Sequence, residues 1–181
     1  MCCDGEGIGY AQKWKDRIVI PIVDENNKLL GCTARYIYDC DKSFKVRKIK
    51  GSDISKTLYG LRWIKKGSPL IGVEGEIDVM TLQQYDIPAI KTGKFLSKEM
   101  IKTILNFTDE FIYCPDGDVP WINKNIKQEK DSVSWQLKRL KKYMNVKYIE
   151  LPDRKDPNDL SEKQIKEIFG KYIDRNYFKI I

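Results

Sequence analysis

Leu70–Val79, LIGVEGEIDV, carries the turn from strand to helix on which the reading of the fold depends. Leu70–Val73 (LIGV) is an apolar run of strand length with the character of a strand buried on both faces, and Ile77–Tyr85 has a helical pattern. Toward the C-terminus, Ala89–Lys91 (AIK) and Phe111–Cys114 (FIYC) are predicted as short strands, and Val146–Leu151 (VKYIEL) closes the sheet. Helices fall between them. Ser97 can cap one with Met100, Ile101, Ile104 and Leu105 on a single face. Asp131 precedes another, in which Val133, Leu137, Leu140 and Met144 recur at i, i+4, i+7 and i+11. Ser161-x-x-Gln164 is a capping-box pattern ahead of Ile165, Ile168 and Phe169. Strands interleaved with helices of this length predict an α/β domain with a parallel sheet.

The N-terminal part follows a different grammar. Arg17–Val23 (RIVIPIV) is rich in β-branched residues, Asp24–Lys28 (DENNK) is turn chemistry, and Leu29–Tyr38 (LLGCTARYIY) is a second strand, so a hairpin is expected. Ser43–Lys50 (SFKVRKIK) is predicted as a third strand, with Phe44 and Val46 on one face and Lys45 and Arg47 on the other. Its alternation slips at Lys48–Ile49, the mark of a strand end or a bulge. With the change of grammar near Lys65–Ser68, the expected division is a basic β-rich subdomain over 1–66 and the α/β domain over 67–181.

Composition removes whole classes of chemistry. The chain has 181 residues and no histidine, which excludes Ser-His-Asp and Cys-His catalysis and histidine metal ligation. Five cysteines without a C-x-x-C pair support neither a zinc site nor a disulfide framework, so reduced thiols in a cytosol are expected. No apolar run approaches the roughly 20 residues of a membrane helix, and the N-terminus lacks the pattern of a secretory signal, so no membrane partner is expected. The net charge of +7 and pI near 9.0 suit a nucleic-acid partner without requiring one.

In an open parallel sheet, ligands bind beyond the carboxyl ends of the strands. Those ends carry Glu74-Gly75, then Asp116-Gly117-Asp118, then Asp156-Pro157-Asn158-Asp159. A lone Asp-Gly-Asp is ordinary turn composition. Three acidic clusters at three successive strand ends are a different matter, because carboxylates so grouped repel one another unless a cation neutralises them. Hard oxygen ligands favour Mg²⁺ or Mn²⁺, which keep part of their shell free for phosphates.

VEGEIDV (Val73–Val79), YCPDGD (Tyr113–Asp118) and KDPND (Lys155–Asp159) resemble the three acidic motifs of the TOPRIM domain, the Rossmann-like fold shared by bacterial primases, topoisomerases and small nucleases. Upstream, Arg17–Arg35 resembles the basic subdomain that precedes TOPRIM in bacterial primases, and LYGL (Leu58–Leu61) resembles their linker into it. The wording of EGEID and KDPND is similar to that of phage primase-helicases. The resemblance implies a DNA primase catalytic core that makes RNA primers on single-stranded DNA from NTPs. It implies Glu74 as a metal ligand or acid/base, Asp116, Asp118 and Asp156 as metal ligands, and Asp78 and Asp159 as further acids of the metal set, behind the direct ligands; Glu74, Asp116 and Asp118, with Arg35 and Lys45, are the implied catalytic residues. Arg35 and Lys45 match basic positions that face nucleotide or template. Two stretches depart from the family pattern. Val119-Pro120-Trp121 stands where Ala-Gly is usual, and Lys91-Thr92-Gly93-Lys94 stands where Ser-Leu-Gly is common.

Lys42, Lys45, Arg47, Lys48 and Lys50 form a charge cluster that Arg62, Lys65, Lys66, Lys91 and Lys94 extend. Of these, Arg47, Lys48, Lys50, Lys91 and Lys94 join Arg35 and Lys45 as candidate nucleic-acid or nucleotide contacts. Lys138, Arg139, Lys141 and Lys142 are assigned to a solvated helix face, and Trp63, Trp121 and Trp135 to packing. The resemblance leaves open a metal-dependent nuclease and a non-catalytic nucleic-acid-binding module. No zinc-ribbon cysteine set and no Gly-x-x-x-x-Gly-Lys-Ser/Thr loop is present, so a helicase and a zinc-binding domain are expected as partners in cis or in trans.

Overall fold

β-Branched residues extend Arg17–Val23 into β1, which pairs antiparallel with β2 (Leu29–Tyr36). The turn between them is held by Asp24, whose Oδ1 accepts from the Lys28 N–H at 2.9 Å, with Asn27 left-handed at φ 66°. The structure, a computed structural model, describes residues 14–24, 27–48, 54, 57–121 and 132–179.

The third segment departs from expectation. Lys42–Lys45 makes a single helical turn, α1, and only β3 (Val46–Lys48) pairs with Thr33–Arg35. Arg17 supplies the reason. Its guanidinium donates to the Phe44 carbonyl at 2.8 Å and to those of Ala34 and Lys45 at 3.4 Å. It also lies 4.5 Å from the Phe44 ring centroid and 5.1 Å from that of Tyr36. Adjacent carbonyls converge on one donor when the chain coils, whereas in a strand they alternate. Ile49 and Lys50 lie outside the described residues.

The chain divides into two compact units between Thr57 and Leu58, ahead of the boundary expected at 66/67. Residues 58–66 pack with the second unit because Leu58 and Ile64 enter its core. The end of the chain adds backbone bonds to this segment, from the Lys65 N–H to the Tyr177 carbonyl (2.7 Å) and from the Lys179 N–H to the Trp63 carbonyl (2.9 Å).

The second unit is built on a parallel sheet of β4 (Leu70–Val73), β5 (Ala89–Lys91), β6 (Phe111–Tyr113) and β7 (Val146–Tyr148), in the order β5-β4-β6-β7. Four helices flank it: α2 (Glu76–Gln83), α3 (Lys98–Phe107), α4 (Val133–Leu140) and α5 (Glu162–Phe169). Strand alternation sends Leu70, Ile90, Phe111 and Tyr113 into a core with Met100, Ile101 and Ile104 of α3 and Val133, Leu137 and Leu140 of α4. Ile71, Val73, Ala89 and Ile112 enter a second core with Val79 and Leu82 of α2 and Ile165 and Phe169 of α5. The result is a three-layer α/β/α arrangement.

Ser97 caps α3 as expected, its Oγ accepting from the Met100 N–H at 3.1 Å. Leu105 departs from the expected buried face and is exposed. The cap of α4 is Ser132, and Asp131 lies outside the described residues. The β7 strand stops at Tyr148, three residues short of the expected end.

Candidate active site

β4 and β6 are neighbours in the sheet, yet the helices that follow them pack on opposite faces: α2 on one, α4 on the other. Their loops therefore part at the carboxyl edge and leave a crevice between them, the place where open parallel sheets bind ligands. Glu74 leaves β4 at that crevice, and Asp116 leaves β6 at it.

Each acidic loop is fixed by its own local chemistry. After β4, Asp78 in the first turn of α2 is buried, and its Oδ2 accepts the Gly75 N–H at 2.9 Å. This bond sets the chain direction beyond Glu74. After β6, Gly117 donates its N–H to the Lys155 carbonyl at 2.7 Å, and a Cβ at this position would lie 2.1 Å from the Pro152 carbonyl oxygen. Only glycine allows backbone to meet backbone so closely, and the contact joins the Asp116–Asp118 loop to the loop that carries Asp156. The third loop closes on itself. The Asp159 N–H donates to Asp156 Oδ1 (3.1 Å) and the Asp156 N–H to Asp159 Oδ2 (3.3 Å). Thr81 of α2 donates to Asn158 Oδ1 at 3.5 Å, which ties this loop back to the first.

These constraints gather four of the expected acids around a fifth. Asp116 is half-buried, and burial pushes its carboxyl up to about 8, with further upward pressure from Glu74, Asp78, Asp156 and Asp118. Its Oδ1 is buried without a hydrogen-bond partner among the described residues. The same field reaches the strand below. Burial raises the Tyr113 hydroxyl, and Glu74 and Asp116 add to it. Burial likewise raises the Cys114 thiol, with Asp116 and Asp78 contributing. Asp159 is exposed and engaged with the Asp156 backbone, and it is not among the carboxylates that press on Asp116.

Among the described residues, no three Cys, Asp or Glu side chains stand grouped as a ready cage for a metal ion. The donor set nevertheless suits one: several carboxylates, a buried acceptor oxygen without a partner among the described residues, and a carboxyl driven toward protonation by burial and then by its neighbours. A hard divalent cation relieves all three conditions at once.

The basic candidates divide. Lys91 is committed to Glu76, its Nζ 2.5 Å from Oε1. Lys94 is exposed on the loop after β5. Arg35, Lys45, Arg47 and Lys48 belong to the N-terminal unit, where Arg47 sits 4.9 Å from the Phe44 ring centroid. Lys50 lies outside the described residues.

Sequence reasoning gave no role to Arg17 or Phe95, noted Thr92 only as part of the stretch that departs from the family pattern, and assigned Arg139 to a solvated face. In the structure Arg139 is half-buried and donates to the Leu96 carbonyl at 2.6 Å. An arginine among lysines on an amphipathic helix carries no periodic signal for such a bond.

A family model described as Toprim-like matches residues 71–161. A DNA primase of Buchnera aphidicola (Acyrthosiphon pisum) is 33% identical over 183 aligned positions, covering 96% of this chain and 30% of the relative. The chain thus spans under a third of the length of this curated relative. Among solved structures, a DnaG catalytic core is similar with TM-score 0.68 and 27% identity, over 87% of this chain and 52% of that one. The Aquifex aeolicus primase, comprising zinc-binding and RNA polymerase domains, is similar with TM-score 0.65 and 25% identity, over 88% and 40%. The matched residues run from the second residue of β4 through β7 and hold all three acidic loops, and on that match across half its length the chain belongs to the Toprim-like family.

Proposed function

We propose that this chain is the catalytic core of a DNA primase, joining nucleotides into RNA primers on a single-stranded DNA template. The observation that carries the reading is Asp116: half-buried at the parting of β4 and β6, pressed by four carboxylates, with one oxygen lacking a partner. Such a group suits phosphoryl transfer once a cation offsets the grouped carboxylates, and the absence of histidine removes the His-based alternatives. The likeness to primase cores, in fold and in sequence, supports synthesis as the direction of the reaction.

Glu74, Asp116, Asp118 and Asp156 would hold Mg²⁺ or Mn²⁺, with Asp78 setting the backbone behind Glu74. The chemistry such an ion supplies is charge stabilisation at phosphoryl oxygens and a lowered pKa for an attacking hydroxyl. The remaining work belongs to the protein. Asp78 and Gly117 fix the two loops before any substrate arrives, so the acids need no reorganisation when charge develops. Burial and the neighbouring carboxylates push the Asp116 carboxyl up to about 8, and a bound cation would bring it down again. Arg35 and Lys45 would position triphosphate or template in the N-terminal unit. A zinc-binding domain and a helicase, in cis or in trans, would complete template choice and unwinding in the cytosol of a bacterium or phage-infected cell.

The test is template-directed synthesis, with the chain incubated with single-stranded DNA, NTPs and Mg²⁺ or Mn²⁺. Labelled product should grow while template length stays constant, and Asp116→Asn should reduce synthesis by at least about a hundredfold. Shortening of the template would instead establish a nuclease. Binding without turnover would establish a non-catalytic module.

A further inference from the structure

We propose that the loop between β5 and α3 is a stacking ledge for an unpaired base of single-stranded nucleic acid, with Phe95 as the aromatic face and Lys94 as a phosphate contact. The proposal rests on the crevice being a nucleic-acid site, and it adds a binding element outside the acidic loops.

The loop is rooted beside the first acid. Thr92 is buried, and both its N–H (2.8 Å) and its Oγ1 (3.1 Å) donate to the carbonyl of Val73, the residue before Glu74. At the far end, Ser97 caps α3. Between these anchors, α4 grips the backbone on both sides of Phe95. Gln136 Nε2 donates to the Lys94 carbonyl at 2.9 Å, and Arg139 Nη2 donates to the Leu96 carbonyl at 2.6 Å. Leu96 is buried, which fixes the next side chain inward.

Phe95 is therefore held in place while 49% of it remains exposed to solvent. A single exposed apolar side chain needs no explanation by itself. This one has a particular setting: the Arg139 guanidinium lies 4.2 Å from its ring centroid, and the Trp135 ring lies 6.0 Å away, tilted by 32°. From Lys91 to Lys98 the sequence contains no acid, and Lys94 and Lys98 are exposed; the first carboxylate beyond is Glu99. A rigid aromatic face with cations around it, one short loop from a phosphoryl-transfer site, matches how sequence-tolerant single-strand binders take a base and its phosphate. Preorganisation by α4 removes the ordering cost that a free loop would meet on binding.

The test is fluorescence anisotropy of labelled oligothymidylate on the whole chain, in EDTA so that no turnover occurs, across a range of salt. Phe95→Ala should weaken binding about tenfold without changing the salt slope. Phe95→Leu, which keeps apolar cover over Arg139 but removes the π-face, should weaken it similarly, and Phe95→Trp should restore it. Lys94→Gln should lose less affinity and lower the salt slope by about 0.7. Wild-type affinity in Phe95→Leu overturns the ledge, whatever the stability of Phe95→Ala. Lost synthesis in Asp116→Asn with undiminished binding in Phe95→Leu would sink the ledge alone; the opposite pair of results would sink the active-site reading alone.

Discussion

Asp116 shows how one residue can be unfavourable for the fold and useful to the site. Its carboxyl titrates near 8 in the folded chain because burial and neighbouring carboxylates both disfavour the anion, whereas in the unfolded chain it titrates near its ordinary value. Between that ordinary value and about 8, the folded state holds a proton that the unfolded state has released. Folding stability contributed by this group is complete below the ordinary value and is lost as pH rises through about 8. Thermal unfolding in EDTA should therefore show a melting temperature that falls between pH 5 and 8, and Asp116→Asn should flatten that fall. Added Mg²⁺ should raise the wild-type melting temperature most at the alkaline end, since the cation replaces the proton. A pH profile identical in wild type and Asp116→Asn would remove the group from this role.

At the scale of elements, the acids depend on contacts made by residues that are not acidic. The Gly117 N–H on the Lys155 carbonyl and the bond from Thr81 to Asn158 link three loops that are far apart in sequence. The 2.1 Å approach of a hypothetical Cβ at position 117 to the Pro152 carbonyl cannot be relieved by rotating a side chain, because both partners are backbone. Gly117→Ala must separate the Asp116–Asp118 loop from the Asp156 loop. Its expected outcome is loss of synthesis by more than about tenfold, since a displacement of about 1 Å can cost on the order of a hundredfold. The accompanying stability loss should be modest, of about 1–3 kcal/mol, because the loop lies outside the two cores. Primer yield and urea unfolding on the same preparation separate the two effects. Full activity in Gly117→Ala would mean that the two loops need not meet.

For the molecule as a whole, the two compact units have different chemistry: a β-rich unit ordered around Arg17 and Phe44, and an α/β unit with a core on each face of its sheet. Ile112 lies fully buried at the centre of one of those cores, on a strand whose next residues lead to Asp116. Ile112→Ala should cost about 2–5 kcal/mol, a large share of the roughly 5–15 kcal/mol that stabilises a domain. Urea denaturation should show the midpoint shift without a change in slope. A cost below about 1 kcal/mol would mean that the core collapses around the gap more readily than its packing suggests.

Much of this was legible in the order of residues because the signals were local. Apolar runs such as LIGV and FIYC marked strands, Ser97 and Ser161 marked helix starts, and acids at three strand ends marked a candidate site, since a parallel sheet delivers its strand ends to one edge. Phe44 in a helical turn, Lys91 on Glu76 and Arg139 beneath the Phe95 loop were not legible, because each depends on a partner brought near only by folding. The acidic constellation named from the sequence was also incomplete in its energetics. Sequence by itself determined that the chain builds an α/β sheet and carries Glu74, Asp116, Asp118 and Asp156 to its carboxyl edge. Tertiary structure alone decided that Asp116 is the acid under strain, because burial and the convergence of four other carboxylates are properties of packing and not of order along the chain.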